Sequence, residues 1–367
     1  MFSRRAQWNA PTNRLTLARE ARGREVLDLT ESNPTGAGLD YPLDELSAIM
    51  QRAARAPYRP DARGIPSARE ALSRELGCEP DDLVLTASTS EAYGFLFKLL
   101  TDPGDNLVTA TPSYPLLEHL AGLESIELRH FALELHRRWE LQPDRVRAVV
   151  NERTRAILVV NPNNPTGSYV TASEQDALAS LGHPIISDEV FLPFAFDKQG
   201  PTFVRDDVLS FTLGGLSKSA GLPHYKLGWI RASGPGKREA LNALELIADN
   251  FLSVSTLVQA ALPELLAVAP QIRDAIRERT ARNLAHLRLA LPTHPDKRLL
   301  PVEGGWSAVI RVPRIKSDEQ LALDYLDRGV LTYPGYFFDF EQEGFVVVSL
   351  LTRPDVFDEG IARMLAE

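Results

Sequence analysis

A single cysteine, Cys78, stands in a chain of 367 residues. One thiol cannot close an internal disulfide, and it cannot build a thiolate metal cage. This composition suits a reducing compartment, and the expected location is the cytoplasm. No run reaches the roughly 18 consecutive apolar residues of a membrane-spanning helix. The opening stretch MFSRRAQWNAPTNRLTLARE lacks the apolar core of a secretory signal. Positive charge is outweighed, because 40 Lys and Arg face 49 Asp and Glu and leave a formal net charge of −9. That balance disfavours generic binding to nucleic acid or to anionic membranes. Internal repeats and low-complexity tracts are also missing. What remains is an ordinary globular composition, 44% hydrophobic and 24% charged. The length suits two domains packed together.

Helical periodicity marks 43–56 (LDELSAIMQRAARA) and 67–76 (SAREALSREL). Short apolar runs then alternate with helical stretches. Strands are predicted at 83–87, 106–110, 155–160, 184–188, 208–214 and 227–232, with helices after the first two. Strands separated by helices imply an α/β fold with a mainly parallel, buried sheet and crossover helices. From about 238 the texture changes to two or three long helices, the first of which could connect domains. EGGWSAVIRV (303–312) and GFVVVSLL (344–351) then bracket a mixed region, as in a smaller α+β domain. The expected division is a large domain over 42–238 and a small one from 1–41 with 239–367.

In such a sheet the turns at the carboxyl ends of strands carry the ligand chemistry. TASTSEAYGF places Thr89 and Ser90 at a helix start, where backbone N–H groups suit a phosphate. TPSYP puts Tyr114 just after a strand, able to stack on a flat ring. VVNPNNPTGSYV makes a rigid turn that presents Asn163 and Asn164. IISDEVF ends a strand on Asp188, a carboxylate that is costly to bury unless it meets a cation. GGLSKSAGLPHYKLGW surrounds Lys218 with small residues, which gives it room to turn inward, and sets Lys226 eight residues later. Taken singly each has an ordinary explanation: a cap, a tight turn, a core tyrosine, a surface lysine.

In combination and in this order, the motifs resemble those of the class I/II aminotransferase family, fold-type I pyridoxal-phosphate enzymes. NPNNPTG, SDEV and LSKSAGLPHYKLGW carry the resemblance, which extends over nearly the whole chain. It implies pyridoxal 5'-phosphate as cofactor and no metal. It implies that Lys218 is the Schiff-base lysine and proton shuttle, and that Asp188 pairs with the protonated ring nitrogen. Asn164 would bond the cofactor's phenolic oxygen, Tyr114 would stack on the ring, Thr89, Ser90 and Lys226 would meet the phosphate, and Ser217 would also contact the cofactor. YRPDARGIPSAREAL (58–72) looks like the segment in which a tyrosine, here Tyr58, crosses to the neighbouring subunit of a homodimer with a composite site. The implied reaction is a ping-pong exchange of an amino group between an amino acid or related amine and a 2-oxo acid. A lyase, decarboxylase or cyclase on the same scaffold is the alternative.

Four positions depart from the family pattern. Lys226 stands where Arg is usual, a point charge without the planar fork. Phe191 stands where a Tyr commonly donates to the phenolic oxygen, and Gly215 where Ser or Thr is frequent. Most consequential is Val347, which occupies the place of the arginine that holds the substrate α-carboxylate. Arg353, six residues on, is one candidate replacement, and Ser32 and Asn33 in TESNPTG, with Tyr336, are others.

Overall fold

A computed structural model describes residues 3, 5, 11–23 and 25–366. Seven strands form the larger sheet: β1 (Leu83–Thr86), β2 (Asn106–Thr111), β3 (Glu127–Ala132), β4 (Thr154–Val160), β5 (Ile185–Asp188), β6 (Ser210–Gly215) and β7 (Gly228–Ser233). Their spatial order is β1-β7-β6-β5-β4-β2-β3. The strands β3, β2, β4, β5 and β6 pair in parallel, whereas β7 runs antiparallel to both of its neighbours. Six of the seven match the apolar runs of the sequence to within about two residues. The seventh, β3, was not among the predicted strands. It is one of the two sheet edges, and its sequence ELRHFA mixes exposed, intermediate and buried residues rather than forming an apolar block.

Helices cover both faces, which is why the inner strands are buried on both sides. On one face Tyr93 and Leu96 of the Thr89–Leu100 helix pack with Leu241 and Leu244 of the Lys237–Asp249 helix. On the other, Val146, Leu178 and Phe203 close over Ile157 and Ile185.

A second sheet follows, formed by β8 (Arg298–Leu299), β9 (Ser307–Arg311), β10 (Tyr333–Pro334) and β11 (Phe345–Ser349). It is antiparallel throughout, in the order β8-β9-β11-β10. The 35-residue helix Thr256–Ala290 joins the two parts. Its early residues Leu262, Leu265 and Ile272 pack among Leu46, Ile49 and Leu72, while Leu284 and Leu287 pack with Phe357 and Ile361. The chain breaks between the two long helices at 250–255, where Leu252 takes a left-handed backbone (φ 45°).

The N-terminal segment lies on the smaller sheet. Leu27–Asp28 pairs in parallel with Val330–Leu331, and the Ser349 N–H donates to the Leu29 carbonyl. This register carries Thr30 and Ser32 toward the gap between the sheets. Among the described residues no helix is long and apolar enough to cross a membrane.

Candidate active site

The carboxyl edge of the larger sheet faces the smaller sheet across a cleft of about 380 Å³. The turns after β1, β2, β4, β5 and β6 bring Thr89, Ser90, Tyr114, Asn164, Asp188, Ser217 and Lys218 to this one space. Because β7 is antiparallel, the residue preceding it arrives at the same edge, and Lys226 lines the cleft too.

Thr89 and Ser90 are the first two residues of a 12-residue helix, so their N–H groups have no intrahelical acceptor. Ser88 caps the helix, its hydroxyl accepting from the Glu91 N–H at 3.2 Å. The open N–H groups and the helix dipole make this corner suited to an anion. Gly228 allows β7 to press against it, since a Cβ there would sit 3.0 Å from the Ser88 carbonyl carbon.

Asp188 ends β5 and is buried. The Tyr93 hydroxyl donates to it at 2.7 Å and the Val190 N–H at 3.1 Å. No helix starts here, so the carboxylate is not an N-cap. Burial raises its pKa above the ordinary carboxylate range, against the lowering effect of the two donors. No ion pair offsets that cost among the described residues, so the group is primed for a cationic partner. Its charge also reaches Tyr114, whose pKa is raised first by burial and then by Asp188.

Lys218 lies on the short helix Leu216–Ser219. Its Nζ donates to the Ser32 carbonyl at 2.9 Å and stands 5.0 Å from the Trp306 ring centroid and 5.9 Å from that of Phe191. Burial lowers its pKa to about 8, with Glu31 pulling the other way. A lysine in that state offers a far larger neutral, nucleophilic fraction near neutral pH than an ordinary lysine does. Of its small neighbours Gly215 and Ser217 line the cleft with it, whereas Gly214 serves another purpose. A Cβ on Gly214 would meet the Trp229 indole at 2.4 Å, so that space belongs to tryptophan and not to Lys218.

The segment from Lys218 to Lys226 is closely knit. The Leu216 N–H donates to Leu227, the Leu222 N–H to Leu216 and the Gly221 N–H to Lys218. The Tyr41 hydroxyl donates to the Gly221 carbonyl, and a Cβ on Gly221 would meet Ile272 at 2.8 Å. Lys226 itself has a left-handed backbone (φ 50°) and is exposed in the single chain.

The two asparagines of the NPNNPTG turn divide their work. Asn163 is buried and holds the turn, donating to the Pro112 carbonyl at 3.1 Å and accepting from the Thr166 hydroxyl at 2.9 Å. Asn164 faces the cleft, where the Ser307 hydroxyl reaches it at 3.4 Å. Ser32 also lines the cleft.

Four residues singled out in the sequence lie elsewhere. Arg353 is exposed, forms an ion pair with Asp355 at 2.7 Å and lays its stem against Gly38. It follows the end of β11 and starts the next helix, which directs it away from the cleft. Asn33 caps its own turn, accepting from the Thr35 N–H and hydroxyl. Tyr58 is 71% exposed on the outer surface. Tyr336 does not line the cleft, although its neighbours Phe337 and Phe338 do.

Sequence reasoning missed Tyr93, Trp306, Tyr333, Phe337 and Phe338. Tyr93 had one available signal: it follows Thr89 by four residues, so it lies one turn behind the helix start on the same face. Among the described residues no group of three His, Cys, Asp or Glu side chains could hold a metal ion.

These residues fit pyridoxal phosphate on their own chemistry. A helix start suits its phosphate, an unpaired buried carboxylate suits a protonated ring nitrogen, and a lysine of lowered pKa suits its aldehyde.

Comparison with known proteins agrees with this chemistry. A family model described as aminotransferase class I and II matches residues 24–359. Nicotianamine aminotransferase 1 of rice (Oryza sativa subsp. japonica) is 33% identical over 224 residues, 56% of this chain and 45% of the rice protein, so the match spans under half of that relative. The glutamate-pyruvate aminotransferase AlaA of Haemophilus influenzae is 24% identical over 376 residues, covering 96% of this chain and 93% of the relative. Among solved structures, an alanine aminotransferase from Pyrococcus furiosus superposes with a TM-score of 0.88 at 24% identity, covering 99% of this chain and 98% of that one.

Proposed function

The chain belongs to the aminotransferase class I and II family, whose members use pyridoxal phosphate, and we propose that its cleft holds that cofactor and exchanges an amino group between an amino acid or related amine and a 2-oxo acid. One observation carries the reading. A buried carboxylate without an ion-pair partner among the described residues, Asp188, and a lysine of lowered pKa, Lys218, line the same cleft beside an open helix start.

When bound, the cofactor ring supplies a sink for the electron pair released at the substrate α-carbon. Asp188 favours the protonated ring nitrogen, and Tyr93 fixes the orientation of that carboxylate. Thr89, Ser90, Ser217 and Lys226 would hold the phosphate. Tyr114 would stack on the ring, and the Asn164 amide would donate to the phenolic oxygen. Phe191 has no donor to add, so Asn164 would make that contact without help from position 191. Lys218 Nζ would bind the aldehyde, give way to the incoming amine, and then take the proton from the α-carbon. The oxo product leaves before the acceptor enters, which makes the exchange ping-pong.

The working unit in this reading is a homodimer, with Tyr58 reaching the partner's phosphate corner. The exposure of Tyr58 supports it. A cytoplasmic location is supported by the single cysteine.

A fold does not decide a reaction. The test is a single-turnover screen of the holoenzyme against amino acids and amines, followed by cofactor absorbance. Conversion of the cofactor to its amine form, with release of an oxo product, is expected. Release of ammonia or carbon dioxide with the cofactor retained as aldehyde would instead establish a lyase or decarboxylase.

A further inference from the structure

The half of the cleft built by the smaller sheet has a chemistry of its own. In β9 and β11, Ser307 faces Ser349 and Val309 faces Val347, and Tyr333 of β10 lies beside Val347. Ser307, Ser349, Val347 and Tyr333 line the cleft together with Trp306 and Phe337. Trp306 meets Phe191 edge-on with ring centroids 5.2 Å apart, and the Tyr333 and Phe337 rings lie 6.1 Å apart. The hydroxyls are partly committed: Ser349 donates to the Glu31 carbonyl, and Ser307 reaches Asn164. This wall is aromatic and aliphatic, relieved by hydroxyls alone.

Charge is distributed unevenly across the cleft. Among the described residues that line it, Lys218 and Lys226 are the cations, and both come from the edge of the larger sheet. Near the opposite wall the carboxylates of Asp28 and Glu31 both act on Tyr333, and Glu31 also acts on Lys218. Arg19, which also acts on Tyr333, is held by Asp28 at 3.2 Å. A carboxylate placed against the Ser307, Tyr333, Phe337 and Val347 part of this wall would lose water and find no cation among the described residues that line it, the nearest lining cation being Lys218 beside Trp306. An aromatic body placed there would bury apolar area and find edge-on ring partners.

Resting on the aminotransferase reading, we propose that the smaller-sheet wall selects an amino donor with a bulky aromatic or apolar body, and that a carboxylate on the donor is not required. Dicarboxylic donors fit worst, because they bring two charges to a wall that offers no cation among its described residues.

The test uses holoenzyme and three donors: L-phenylalanine, 2-phenylethylamine and L-aspartate. Single-turnover conversion of the cofactor is read as rate per donor concentration. The amine is expected within ten-fold of L-phenylalanine, and both at least a hundred-fold above L-aspartate. L-Aspartate equal to or faster than L-phenylalanine would overturn the proposal, as would an amine more than ten-fold slower than L-phenylalanine. Either result would mean that a cation outside the described wall receives the carboxylate. Failure of all three while another amino acid of the wider screen converts the cofactor would also overturn the proposal; failure of every donor in that screen would overturn the aminotransferase reading instead. The wall is then decided by binding alone, since amine addition perturbs the cofactor spectrum without turnover. Phe337→Ala is expected to weaken 2-phenylethylamine binding at least ten-fold more than L-aspartate binding. Equal losses for both ligands would overturn a selective wall.

Discussion

The Tyr93 hydroxyl donates to Asp188 Oδ2 at 2.7 Å, with both side chains shut away from water. The bond joins the helix behind the phosphate corner to the strand that ends at the ring-nitrogen corner. It also lowers the cost of keeping Asp188 ionised, which burial opposes. Tyr93→Phe removes the donor and leaves the shape. We expect α-proton abstraction to slow about ten-fold, and thermal unfolding to report a loss of about 1 kcal/mol, as for one net hydrogen bond. Unchanged single-turnover rates would show that Val190 alone suffices to hold the carboxylate.

Asp188→Asn removes the charge itself. Cofactor binding should survive in part, because the phosphate contacts remain. Proton abstraction should slow by about three powers of ten, the scale of losing a preorganised electrostatic group. Near-normal turnover in this variant would exclude Asp188 as the partner of the ring nitrogen.

Lys218→Ala should abolish fixation of the cofactor to the chain by borohydride, as read by peptide mass. Fixation through Lys226 would assign the covalent role to the wrong lysine. In the wild-type apoenzyme, cofactor capture needs the neutral amine. With the Lys218 pKa lowered to about 8, the capture rate should climb as pH rises toward 8 and level off above it. A capture rate still climbing steeply at pH 10 would mean that Lys218 keeps an ordinary lysine pKa.

Lys226→Ala should weaken pyridoxal phosphate binding roughly ten-fold or more, in line with about 1.5–3 kcal/mol for a charged hydrogen bond. Binding of pyridoxal, which lacks the phosphate, should barely change. Equal weakening of both would place Lys226 outside the phosphate corner.

Arg353→Ala tests the opposite expectation. Its ion pair with Asp355 joins two side chains 57% and 65% exposed, so its loss should change stability by about 0–1 kcal/mol. The half-saturation concentration for the best amino donor should stay within two-fold. A ten-fold rise would bring Arg353 into the cleft.

The parts legible in the sequence share a physical signature. Inner strands such as Thr154–Val160 are buried on both faces, so their apolar runs need no context to be read. The turns bearing Asn164, Asp188 and Lys218 follow those strands directly, and a parallel sheet places all such turns on one edge. What stayed hidden depends on contacts between distant segments. The edge strand Glu127–Ala132 carries the charges that a sheet edge tolerates, and so it did not read as a strand. Nothing in its own segment marks the partner of Tyr93, because Asp188 comes from β5, distant in sequence. The aromatic wall draws on residues from 191 to 347, and only the folded smaller sheet assembles it. Arg353 is close to Val347 in sequence, but the intervening turn ends the strand and points the guanidinium outward.

The knitted segment between Lys218 and Lys226 works as a ruler. Both of its ends are fixed, one by β6 and the other by the antiparallel β7, and its middle is clamped by Tyr41 and Ile272. Its length is therefore set by the geometry of a reversal, independently of which side chains fill it. Protein engineers can vary the composition of 219–225 within steric limits, but adding or removing one residue would shift a cation out of register with the cleft. A screen of insertions along the chain should find this interval among the least forgiving, even though it bears no catalytic group between its two ends.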